Sequence, residues 1–186
     1  MPRDRGVESN EEESRLMSDD KRGRLTGGCF CGAIRYEVSA PPQVTLSCHC
    51  RDCQYVSGGA PAHAMIVGAD DVAITKGKPK EHRTVSAKGN QMGRLFCEAC
   101  GTPLFAKNEA HPEILQVKAG SLDDTSQFHM QANAWVSSAP PWHFIDAEVM
   151  RFPRDPEMGF KAFLELARSS IVKLGRAAGI ADRKTA

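Results

Sequence analysis

The sequence predicts a mainly β, antiparallel domain followed by one C-terminal α-helix, and three observations predict it. Between Arg24 and Pro153 apolar residues alternate in short runs broken by Gly, Pro and Asp, the pattern of strands with one buried face. After Pro156 the apolar residues change to helical spacing. The 186 residues suffice for one core with tails, and 41% apolar with 25% charged residues is the composition of an ordinary globular chain.

Taken in order, residues 1–23 are almost wholly polar, carry the acidic run Glu11, Glu12, Glu13 and show no apolar periodicity. Such a segment buries too little to offset its ordering entropy and is read as a disordered tail, with Met17 as an alternative start. Residues 24–153 form the β domain. Ile34, Tyr36 and Val38 alternate with Arg35 and Glu37, and Ala64 and Ile66 follow the same period before a turn at Gly68 to Asp71. Further strands are expected at Val72 to Thr75, Glu81 to Val85, Gly93 to Phe96, Ile114 to Val117 and Gln131 to Val136. In the last segment, 154–186, Phe160, Phe163, Leu164, Ala167, Ile171 and Leu174 mark one amphipathic helix that packs on the core, ahead of a fraying end.

Charge and hydropathy narrow the function. Lys and Arg number 24 against 23 Asp and Glu, so no basic excess draws the chain to nucleic acid or to an anionic membrane surface. No run approaches the roughly 18 apolar residues that cross a bilayer, and the N-terminus has no apolar signal core. A cytoplasmic protein acting on a small molecule is expected. In that reducing setting seven cysteines point to metal ligation or thiol chemistry rather than disulfides.

The cysteines sort by spacing. Cys29 and Cys31 flank Phe30, which puts both sulfurs on one side of an extended segment. Cys97 and Cys100 form a CxxC turn followed by Gly101, a residue that tolerates the positive φ of a metal knuckle. Each pair is half of a tetrahedral zinc site, and joined they clip a loop of about 65 residues. A redox-active CxxC would need a βα context, which the strand pattern before Cys97 does not offer. Cys48, Cys50 and Cys53 supply three more thiols within six residues. Three protein ligands leave a position open, the mark of a catalytic rather than a structural zinc. The other possibility is a second closed site completed by His49, His63 or His82, although His49, between two ligands of an extended segment, would point away from their metal. Three thiolates make the metal a weak Lewis acid toward water but leave it able to hold an incoming thiolate, which favours thiol chemistry over hydrolysis.

The segments Gly27-Gly28-Cys29-Phe30-Cys31-Gly32, Cys48-His49-Cys50-Arg51-Asp52-Cys53 and Phe96-Cys97-Glu98-Ala99-Cys100-Gly101-Thr102-Pro103, with Trp135-Val136 and Ala139-Pro140-Pro141-Trp142, closely resemble the family of glutathione-dependent formaldehyde-activating enzymes and centromere protein V. The resemblance covers residues 24 to about 150. It implies an Mss4-like, zinc-clipped β fold, a structural zinc on Cys29, Cys31, Cys97 and Cys100, and a second, catalytic zinc on Cys48, Cys50 and Cys53. It also implies a carbon–sulfur lyase that joins or splits formaldehyde and glutathione as S-(hydroxymethyl)glutathione. His49 or Asp52 are candidates to move the hydroxyl proton, and Arg51, Lys88 or Arg94 to bind the carboxylates of glutathione. The competing class is a non-catalytic zinc module that recognises a protein or thiol ligand.

Overall fold

A computed structural model describes residues 24–156 and 162–166, so the expected tail 1–23 lies outside the described residues. Within residues 24–156 lie eleven strands and one short α-helix: β1 Leu25–Gly28, β2 Arg35–Val38, β3 Val44–Cys48, α1 Arg51–Val56, β4 Ala62–Gly68, β5 Val72–Lys76, β6 Lys80–Val85, β7 Gln91–Phe96, β8 Pro103–Asn108, β9 His111–Lys118, β10 Ala132–Ala134 and β11 Met150–Phe152. They form a three-stranded sheet, β1-β2-β5, and an eight-stranded sheet, β11-β10-β3-β4-β9-β8-β7-β6. The pairing is antiparallel except at β10, which runs parallel to both β3 and β11. The long segment between β9 and β10 carries the chain past β4 and β3 to the far side of β3, which a hairpin could not do.

Alternation along the strands decides what is buried. Tyr36 and Val38 on β2 pack with Met65, Val67, Phe105 and Val117 of the larger sheet, forming a core between the two sheets. The opposite face of the larger sheet carries Val44, Ile66, Ile114 and Ala132, and Phe163 covers them. Residues 162–166 are helical, and the Phe163 ring meets Phe152 edge-on at 5.5 Å. Phe163 and Leu164 therefore pack as their spacing predicts, whereas Phe160, Ala167, Ile171 and Leu174 lie outside the described residues. Close approach of the sheets leaves no room at Gly27, where a Cβ would overlap the Tyr36 hydroxyl and the Ser121 carbonyl. Among the described residues no helix is long and apolar enough to cross a membrane.

One expectation changes in detail. Val136 does not extend the strand at Gln131 but sits in a 3-10 turn, because Trp135 takes a left-handed φ of 60° and redirects the chain. The extended run that carries Cys48 ends at Cys50, since α1 begins directly after it.

Candidate metal centres

Two knuckles bring the first four cysteines together. In the first, Gly32 N–H donates to the Cys29 carbonyl at 2.9 Å; in the second, Gly101 N–H donates to Cys97 at 2.8 Å. Both glycines have positive φ, 72° and 74°, as such turns require. The knuckles are tied to each other by Phe30 N–H donating to Thr102 Oγ1 at 3.1 Å. All four sulfurs lie within 4.8 Å of one another, with Cys29 and Cys31 3.5 Å apart and Cys31 and Cys97 3.8 Å apart. Tetrahedral zinc with Zn–S bonds near 2.3 Å sets its sulfurs about 3.8 Å apart, so the donor set fits a tetrahedral ion. The Thr102 hydroxyl beside Cys100 and backbone N–H groups help pull that thiol down to about 6, which readies it as a ligand.

The second group stands where β3 meets α1. Cys48 ends the strand, Cys50 precedes the helix with extended φ and ψ, and Cys53 lies in the first turn. Their sulfurs also fall within 4.8 Å of one another, and among the described residues no His, Asp or Glu donor joins them within that distance. Crowding separates their acidities. Contacts from Cys48 and Cys53 hold Cys50 far below the usual thiol range, with Arg94 adding to the effect, while the Cys50 and Cys53 sulfurs push Cys48 well up. Three sulfurs this close share one negative charge unless a cation lets all of them ionise.

His49 does point away. It continues the alternation of β3 onto the face of Ser47, which pairs with His63 and Asn133. There it is fully buried, with Nε2 3.0 Å from the Asn133 side-chain amide and Nδ1 2.9 Å from His143 Nδ1. The Gln54 amide ties this turn down, donating to the His49 and Ser138 carbonyls at 2.8 and 2.9 Å. His63 Nδ1 sits 2.6 Å from Ser47 Oγ.

Cys48 faces the other side of the sheet, as does Lys118, which is paired with Ala64. Beside the cysteines a cavity of about 410 Å³ is lined by Lys80, His82, Arg94, Phe105 and Lys118, with Glu81 as its one carboxylate. Arg94 pairs with Asp52 at 3.5 Å, and Lys80 with Glu98. Lys118 is buried and has no ion-pair partner among the described residues. Burial lowers its pKa, against the pull of Cys53 and the other two thiols. Of the other expected cations, Arg51 stacks on Tyr55 at 4.1 Å and Lys88 pairs with Asp155 at 2.9 Å; neither lines the cavity. Lys118 was not singled out in the sequence, where its signal is slight: a lysine between Val117 and Ala119 at the end of a strand.

A family model described as glutathione-dependent formaldehyde-activating enzyme matches residues 24–138. A curated protein of Halomonas elongata, provisionally named as such an enzyme, is 25% identical over 130 residues, which cover 66% of this chain and 82% of that protein. A crystal structure of a Rhodobacter sphaeroides protein aligns over 53% of this chain and 87% of its own, at 21% identity and a TM-score of 0.43.

Proposed function

The chain belongs to the glutathione-dependent formaldehyde-activating enzyme family, and from that premise we propose that it is a zinc-dependent carbon–sulfur lyase that forms or splits a thiol–formaldehyde adduct such as S-(hydroxymethyl)glutathione. The observation that carries this reading is the three-sulfur group of Cys48, Cys50 and Cys53, with no fourth His, Asp or Glu donor among the described residues, beside a cavity rich in cations. Cys29, Cys31, Cys97 and Cys100 would hold a structural zinc, and Cys48, Cys50 and Cys53 a second one with a position left for a ligand. A zinc ion in that second site would supply the positive charge that keeps a bound thiol ionised near neutral pH.

The remaining work falls to the chain itself. Glutathione carries two carboxylates, and Lys80, Arg94 and Lys118 offer three cations on one wall of the cavity. In the forward direction the thiolate sulfur bonds to the aldehyde carbon, and the carbonyl electron pair moves to oxygen, which takes up a proton. Lys118 Nζ is the buried donor on that side. His49, fully buried on the opposite face of the sheet, and Asp52, paired with Arg94, are less suited to that step.

The test is the approach to equilibrium of formaldehyde with glutathione, measured from both directions with the zinc-loaded protein and corrected for the spontaneous reaction. Acceleration in both directions is expected. No acceleration in either, with zinc present at the three cysteines, would leave a zinc-binding module that recognises a ligand without turning it over.

A further inference from the structure

A second cavity, of about 340 Å³, lies on the sheet face turned away from Cys48 and Lys118. Ser47, His63 and Asn133 line it together with Trp142, His143 and Phe144. The volume lies within the range of small-ligand sites. Its chemistry differs from that of the cavity beside the cysteines: no Lys, Arg, Asp or Glu lines it. A charged ligand would be desolvated there without an opposite charge to face.

Asn133 is the informative residue. It is completely buried, and one end of its amide is engaged by His49 at 3.0 Å. The other end, Nδ2, is buried with no hydrogen-bond partner among the described residues. Turning the amide over would leave Oδ1 without a partner instead, so either orientation keeps half of a buried amide unpaired. Such a group is destabilising until something meets it. Trp142 and Phe144 are also unusually bare for large aromatic side chains, 67% and 82% exposed. Trp142 is held in place rather than loose. The Trp142 ring meets His143 edge-on at 4.7 Å, and His143 Nε2 donates to the Gly59 carbonyl at 2.7 Å.

We infer that this cavity is a second binding site, for an uncharged flat ligand with a carboxamide edge, whose amide pairs with Asn133 while its flat part lies against Trp142 and Phe144. A primary amide offers both a donor and an acceptor, so it complements whichever end of Asn133 is unpaired. The inference does not depend on the lyase reading.

The experiment titrates benzamide into the full-length, zinc-loaded protein and follows the side-chain amide of Asn133 and the indole N–H of Trp142 by NMR. Saturable shifts at both are expected, with a Kd on the order of 1–10 mM for a ligand of this size. Benzoate and benzylamine should bind at least about 10-fold more weakly, since neither charge is met. Trp142→Ala, a substitution at an exposed position, should weaken benzamide about 5- to 10-fold. Asn133→Asp removes the amide N–H donors and puts a carboxylate where no cation lines the cavity, and should weaken it further. Glutathione should not displace the probe. The inference is overturned if benzamide gives no saturable shift, if benzoate binds equally well, if Trp142→Ala binds like wild type, or if glutathione competes.

Discussion

Cys50 belongs to both short spacings of its segment, the CxC with Cys48 and the CxxC with Cys53, so no pair that omits it keeps the full chelate. Cys50→Ser is expected to abolish turnover of formaldehyde and glutathione while shifting the melting temperature by only a few degrees, because the four-cysteine group still clips the domain. Loss of activity accompanied by unfolding would show that the two groups are not separate in function. Lys118→Met makes the opposite kind of test. It removes a buried cation without an ion-pair partner among the described residues at similar volume, so stability should hold or rise. The KM for glutathione should rise about 10-fold or more as a charge-assisted contact disappears. An unchanged KM would remove Lys118 from the binding wall. All seven cysteines were legible as two groups because metal geometry acts over short spacings. The cations were less legible. Arg94 and Lys118 meet the cysteines only through pairings of distant strands, while Arg51, next to Cys50 in sequence, stacks on Tyr55 instead.

Strands whose two faces differ announce themselves, as β2 does by burying Tyr36 and Val38 between Arg35 and Glu37, and β5, β6 and β9 also fall close to their expected positions. β3 and β8 do not alternate cleanly: Val44 and Thr45 are both buried, as are Leu104, Phe105 and Ala106, because each of these strands is covered on both sides. α1 has only six residues, too few to display a helical period. The knuckles, by contrast, are short elements with strong chemistry. Replacing Cys100 with Ser should strip the four-cysteine site and unfold the domain, since zinc binding of this kind is worth on the order of 10 kcal/mol to folding. Chelation of the wild type should proceed in two stages, the three-cysteine ion leaving first and the four-cysteine ion leaving only with loss of strand signal in circular dichroism. A cooperative wild-type melt for Cys100→Ser, or simultaneous loss of both ions, would contradict this assignment of the sites.

At the scale of the molecule the two sheets are joined near the candidate centres by more than apolar contact. Tyr36 of the small sheet reaches Ser121, just past the end of β9, with its hydroxyl 2.8 Å from Ser121 Oγ. Ser121 Oγ in turn donates to the Lys118 carbonyl at 2.7 Å, so the phenol is the donor to Ser121 and loses that role when it ionises. Burial is the main cause that pushes the Tyr36 pKa up, to about 12 from an ordinary value near 10. A raised folded-state pKa means that the native protein holds this proton more tightly than the unfolded chain. The stabilisation is therefore complete below pH 10 and is lost as the pH climbs from 10 to 12, up to about 3 kcal/mol in the limit. Tyr36→Phe keeps the edge-on packing against Phe105, at a centroid distance of 4.8 Å, but has no proton to lose. It should be somewhat less stable than wild type at pH 8, where the bond to Ser121 is missing, and should decline less steeply between pH 10 and 12. Denaturant unfolding of the zinc-loaded proteins across that range measures the difference. Parallel curves for the two proteins would mean that Tyr36 does not govern the alkaline limit and that the sheets are held together there by other groups.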